Sequence, residues 1–150
     1  MNTKFLLASL LLLYALFASS CAVETPADDD TPGDDDSNAL TCDGITPEVT
    51  ELSSDELNKM LQDKDFELIN VHIPRNGEIP GTDAHIAYTD TAGLEQGLGN
   101  DKAAKAVLYC RTGPMSAIAT AALVDLGYCR IFDLPGGMVG WEAEGYPLDD

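Results

Sequence analysis

Ala106-Val107-Leu108-Tyr109 is a wholly apolar run of four, followed at once by Cys110-Arg111-Thr112-Gly113-Pro114-Met115-Ser116 and then an alanine-rich stretch to Leu126. A short run apolar at every position fits a strand buried on both faces, in the middle of a parallel sheet. Gly113 and Pro114 break that run, and Met115 to Leu126 reads as a helix stopped by Gly127. The segment therefore predicts strand, tight turn and helix, with Cys110 at the strand's end. Backbone N–H groups of such a loop, and the unpaired N–H groups of the helix's first turn, favour negative charge between them. A thiol placed there is favoured as its thiolate, the nucleophilic form.

The elements around it follow one rhythm. Ser53-Ser54-Asp55-Glu56 fits a capping box opening a helix whose apolar face is Leu57, Met60 and Leu61. Phe66 to Val71 reads as a strand, residues 72–86 as a long loop punctuated by Pro74, Gly77, Pro80 and Gly81, and Arg130 to Leu134 as another strand. Gly136-Gly137 marks a turn before a last helix, Met138 to Glu144. Strands alternating with helices imply βαβ units, an α/β fold and a parallel sheet of about five strands flanked by helices. In such sheets ligands bind beyond the carboxyl ends of the strands, where Cys110 is expected.

The first 44 residues read differently. Met1 to Ser20 carries Lys4 and an uncharged apolar run from Phe5 to Ala18, short for a membrane span and suited to an export signal. Ala18-Ser19-Ser20-Cys21 resembles a bacterial lipobox, which implies cleavage before Cys21 and a lipid on it. Ordinary secretion with an unmodified Cys21 is the alternative. Residues 21–44 then form an acidic tether. Ala22 to Asn38 holds seven acids and no base, with Pro26, Pro32 and Gly33, and cannot bury a core. Its uniform aspartate triplets lack the alternating ligands and turn glycine of an EF-hand, so a spacer is favoured over a calcium loop. This organisation places the chain in a bacterial cell envelope, lipid-anchored on the outer side of the inner membrane or in the outer membrane.

The domain expected over residues 45–150 carries seven Lys and Arg against eighteen Asp and Glu. That balance argues against nucleic acid as a partner and against long-range steering of anionic substrates. No C-x-x-C pair occurs, so neither a zinc knuckle nor a thioredoxin-type pair is indicated, and no metal or cofactor is expected.

Cys110-Arg111-Thr112-Gly113-Pro114-Met115-Ser116 resembles the active-site loop Cys-Arg-x-Gly-x-x-Ser of the rhodanese (sulfurtransferase) family. Leu68-Ile69-Asn70-Val71-His72, Gly77-Glu78-Ile79-Pro80-Gly81-Thr82 and Gly136-Gly137-Met138-Val139-Gly140-Trp141 with Gly145-Tyr146-Pro147 resemble three further segments of that family, in order. The resemblance spans about residues 46–148 and implies a single rhodanese-like domain. It implies a sulfurtransferase that takes a sulfane sulfur from a donor such as thiosulfate or polysulfide onto Cys110 as a persulfide, then gives it to a thiol or to cyanide. In that reading Cys110 is the nucleophile, and the N–H groups of Arg111, Thr112, Gly113, Met115 and Ser116 are the candidate donors. Arg111 adds the loop's only basic charge, and the Ser116 hydroxyl either caps the helix or bonds the sulfur. A non-catalytic rhodanese-like module that docks a partner protein is the alternative.

Some positions depart from the family. Pro114 stands where many relatives have a polar or basic residue. It removes one loop N–H and suits a helix start. Asn70 and His72 stand where many relatives have Asp and Arg. His72 and His85 are expected to be structural, and Trp141 to pack in the core or against the site's rim. Related phosphatase loops put an arginine six positions after the cysteine, where this chain has Ser116, so phosphatase chemistry is disfavoured. The family fold also places its first and last strands side by side. That makes a disulfide between Cys42 and Cys129 plausible in an exported chain, the alternative being a free Cys42 and a buried, apolar Cys129.

Overall fold

A computed structural model describes Cys42 and residues 44–99 and 101–150. The expected signal (1–20), the lipid-attachment position Cys21 and nearly all of the tether lie outside the described residues. In chain order the elements are β1 (Val49–Glu51), α1 (Ser54–Leu61), β2 (Glu67–Asn70), β3 (Ala84–His85), α2 (Thr91–Gly97), β4 (Lys105–Tyr109), α3 (Pro114–Asp125), β5 (Arg130–Leu134) and α4 (Gly137–Ala143). The five strands form one sheet in the order β1-β5-β4-β2-β3, and every pairing is parallel. This is the α/β architecture that the alternation of elements predicts.

β4 is the central strand, and its apolar run serves two cores by simple alternation. Ala106, Leu108 and Cys110 point to a core shared with Ile69, Leu123 and Ile131, while Val107 and Tyr109 point to one shared with Leu57, Leu68 and Trp141. That is why the run has no polar position: both faces are covered. α1 begins on the expected capping box. The Ser53 Oγ accepts the Glu56 N–H at 3.3 Å, and the Glu56 carboxylate accepts the Ser53 N–H at 2.8 Å. α3 ends where Gly127 stands, with the Gly127 N–H on the Val124 carbonyl at 2.8 Å and the Tyr128 N–H on that of Leu123 at 3.1 Å.

Two elements correct the sequence reading. The loop over 72–86 ends in β3, a two-residue edge strand paired with β2. The stretch after it contains α2, capped by Asp90, whose carboxylate accepts the Gly93 N–H at 2.9 Å. The loop is also pinned rather than free. The buried Tyr109 hydroxyl takes the Ile79 N–H at 3.0 Å and sits 2.6 Å from the Thr82 hydroxyl, and burial pushes its pKa up to about 12.

Cys42 and Cys129 are bonded as a disulfide, with Cα atoms 6.0 Å apart. Cys129 directly precedes β5, so the bond lies at the edge of the sheet where the strands begin.

Candidate active site

Cys110 directly follows β4 and is 1% exposed; it is the free cysteine among the described residues. Its Sγ accepts the N–H of Gly113 at 3.0 Å, closing a four-residue turn on the sulfur itself. Pro114 occupies the first turn of α3, where its missing N–H costs nothing to the helix. Met115 and Ser116 follow in the same turn, whose amides have no intrahelical partner.

The loop is shaped from behind by the start of α4. The Cys110 carbonyl accepts the Met138 N–H at 3.0 Å, and the Arg111 carbonyl accepts the Val139 N–H at 3.0 Å. In a planar trans peptide the C=O and the next N–H point in opposite directions. The N–H groups of Arg111 and Thr112 therefore face away from α4, and neither is taken up by another backbone group among the described residues. Two glycines make this approach possible. Gly113 has φ +101°, and a Cβ there would lie 2.2 Å from the Pro135 carbonyl oxygen; Gly137 has φ +55°, and a Cβ there would lie 2.5 Å from the Cys110 carbonyl oxygen. Gly137, Met138 and Val139 position the loop, whereas the sequence reading saw in them a turn, a helix and a segment resembling the family, without this contact. The signal was the glycine pair directly ahead of the helix, which requires a close backbone approach as much as a turn.

Ser116 departs from both expectations for its side chain. Its hydroxyl neither caps the helix through an N–H nor bonds the sulfur; it donates to the Gly113 carbonyl at 2.9 Å. Ser116 is fully buried and holds the carbonyl of Gly113, the residue whose N–H meets Sγ.

Arg111 is exposed and lines a cavity of about 420 Å³ together with Asn76, Gly77, Val139, Glu142 and Asp149. The cavity adjoins the loop through Arg111, and Cys110 is not part of its lining. Arg111 makes no ion pair among the described residues. It stands near His72, whose pKa is lowered first by burial and then by the Arg111 charge. His85 is engaged elsewhere, with its Nε2 2.6 Å from the His72 carbonyl. Asn70 ties down the neighbouring loop by donating to the Gly77 carbonyl at 3.1 Å and accepting the His72 N–H at 3.0 Å. Trp141 is core, and its indole N–H donates to the Pro147 carbonyl at 2.8 Å. The arrangement offers one thiol held by the Gly113 N–H, loop amides without backbone partners among the described residues, and one exposed cation, Arg111, in the same loop.

The rhodanese-like domain family matches residues 53–144. The chain belongs to the rhodanese-like family. A sulfurtransferase of Allochromatium vinosum is 30% identical over 104 residues, covering 67% of this chain and 94% of that protein. Among solved structures, a rhodanese-related protein of Thermoplasma volcanium superposes with a TM-score of 0.54 at 24% identity, over 67% of this chain and 97% of its own. A thiosulfate sulfurtransferase of Pseudomonas aeruginosa superposes with a TM-score of 0.57 at 19% identity, over 67% of this chain but 20% of its own. These likenesses establish a rhodanese fold and a sulfurtransferase family. Within that family the loop of Cys110 is the chain's candidate site.

One residue at the site escaped the sequence reading. Asp133, in β5, is 4% exposed, and one of its carboxylate oxygens has no hydrogen-bond partner. Burial raises its pKa, the Ser116 hydroxyl draws it back, and the Glu51 charge raises it further. An acid among the apolar residues Ile131, Phe132 and Leu134 was the available signal.

Proposed function

We propose that this protein moves a sulfane sulfur through a persulfide on Cys110. The Cys110 thiolate attacks the outer sulfur of the donor; with thiosulfate the S–S bond breaks and sulfite leaves with the bonding pair. The product is Cys110–S–S⁻. A nucleophilic acceptor, a thiolate or cyanide, then attacks the outer sulfur and returns Cys110 as thiolate, so each half-reaction conserves charge and sulfur. The observation that carries this reading is the Gly113 N–H on Sγ in a loop whose neighbouring amides are left free. A sulfur carrying negative charge is stabilised there without a separate base. Arg111 lies at the entrance and offers positive charge to an arriving anion.

The test is single turnover. Protein incubated with donor, freed of it and mixed with cyanide should release about one thiocyanate per chain. Cys110→Ser, which preserves shape, should release none while melting like the parent. Thiocyanate from a folded Cys110→Ser protein would reject the assignment. We further propose that Cys21 carries lipid and that residues 21–44 tether the domain to a membrane of the cell envelope. Metabolic labelling should find fatty acid on the wild-type chain and none on Cys21→Ala.

A further inference from the structure

Asp133 and Cys110 share one face of the sheet. In the parallel register Leu108 pairs with Asp133, and Cys110 lies two residues beyond Leu108. Strands about 4.8 Å apart with a rise of about 3.3 Å per residue put the Cα atoms of Asp133 and Cys110 about 8 Å apart. Alternation along β5 sends Ile131 and Asp133 to the side that Leu108, Cys110 and α3 occupy. Ser116 is close enough to Asp133 for its hydroxyl to temper the carboxylate, while that hydroxyl donates to the Gly113 carbonyl at 2.9 Å. No cation answers the carboxylate: Asp133 is in none of the ion pairs among the described residues. The groups that face it are Leu108 and Cys110 from β4, Ser116 from α3 and the acid Glu51 from β1. A buried carboxylate with an unpartnered oxygen and no counter-ion is costly, and it stands behind the loop that must receive the donor.

We infer that Asp133 is a specificity-determining residue, a buried carboxylate behind the Cys110 loop that, when ionised, disfavours doubly charged sulfur donors relative to singly charged ones. This rests on the sulfur-transfer reading of Cys110. Donors that differ by one charge and share one chemistry make the contrast. Thiosulfate gives Cys110–S–S⁻ and sulfite; methanethiosulfonate gives the same persulfide and methanesulfinate. If the extra charge lies as far from Asp133 as the Cα of Cys110 does, about 8 Å, it is penalised about twofold at the dielectric constant of water and about thirtyfold at an effective value near 20. The acidic surface acts in the same direction, but salt screens it, whereas a charge inside the protein is screened far less.

The experiment compares kcat/KM for thiosulfate and for methanethiosulfonate, with cyanide as acceptor, in wild type and Asp133→Asn at high salt. The ratio of thiosulfate to methanethiosulfonate should rise at least about twofold in the variant. In wild type the same ratio should rise as pH falls and Asp133 takes up a proton, and this trend should be absent from Asp133→Asn. A separate arm needs no sulfur transfer: the rate at which Cys110 is alkylated by iodoacetate, divided by that for uncharged iodoacetamide, should also rise at least about twofold in the variant. If neither donor yields thiocyanate, the sulfur-transfer reading fails while the alkylation ratio still reports on Asp133. An unchanged alkylation ratio in the folded variant overturns the inference, and so does a donor ratio in wild type that is flat with pH, which holds even if Asp133→Asn does not fold well enough for kinetics.

Discussion

The two ends of the sheet hold the same element in opposite states. Where the strands begin, Cys42 and Cys129 are joined in a disulfide that closes a loop of 87 positions. Where β4 ends, Cys110 is free, buried and bonded only by the Gly113 N–H. β4 and β5 run parallel in register, so at about 3.3 Å per residue the two sulfur sites stand on the order of 15 to 20 Å apart. No exchange between them occurs in the folded chain. Local geometry sets each role. The disulfide ties residue 42 to the domain and acts on the unfolded ensemble, while the thiol sits among oriented amides that act on charge. In the proposed reading one site carries stability and the other carries chemistry, and the sheet keeps them separate.

That division can be broken on either side. The largest effect expected is on activity: Cys110→Ser should lower sulfur transfer by at least about a thousandfold, with thermal unfolding close to that of wild type, as for other nucleophile deletions. The opposite change, Cys42→Ser with Cys129→Ser, should cost about 2 to 5 kcal/mol of stability by denaturant unfolding yet retain transfer at temperatures where the domain stays folded. Loss of transfer in that folded double variant would break the comparison. Between the two ends, Tyr109→Phe leaves the buried Ile79 N–H without its acceptor and should cost about 1 to 3 kcal/mol.

Asp133 sharpens the comparison through pH. Its pKa is raised on folding, so the folded chain holds the proton more tightly than the unfolded one. The stability this lends is present in acid and is lost as pH rises through the folded value. Asp133→Asn should therefore gain stability over wild type at neutral pH, with the gain shrinking as pH falls; urea unfolding at several pH values measures it. The smallest effect concerns Arg111. Arg111→Ala should raise KM for thiosulfate severalfold and for a singly charged donor less, as expected for an exposed cation opposed by Glu142 and Asp149.

Much of this was legible in the sequence because it rests on local rules. The apolar Ala106–Tyr109 run marks a central strand, Ser53 and Glu56 mark the start of α1, and Cys110 followed by Gly113 and Pro114 marks a turn into a helix. β3 was not legible, since two residues at a sheet edge make no pattern. α2 was hidden by Gly93 and Gly97, which lower helix propensity over seven residues. At the site, the support from Gly137, Met138 and Val139 depends on a contact between segments more than twenty residues apart, which composition cannot report. The Ser116 hydroxyl was misread because its partner, the Gly113 carbonyl, is a backbone atom. Asp133 was missed because its meaning comes from strand register: only the pairing of β4 with β5 puts it beside Cys110.

The central claim is that Cys110 bears the sulfur in transit, and intact-mass and peptide mass spectrometry of the donor-treated protein test it most directly. The account predicts one added sulfur atom, confined to the peptide containing Cys110, stable when donor is removed and lost on addition of cyanide. A folded wild-type protein that gains no sulfur on Cys110 from thiosulfate, methanethiosulfonate or polysulfide would contradict it.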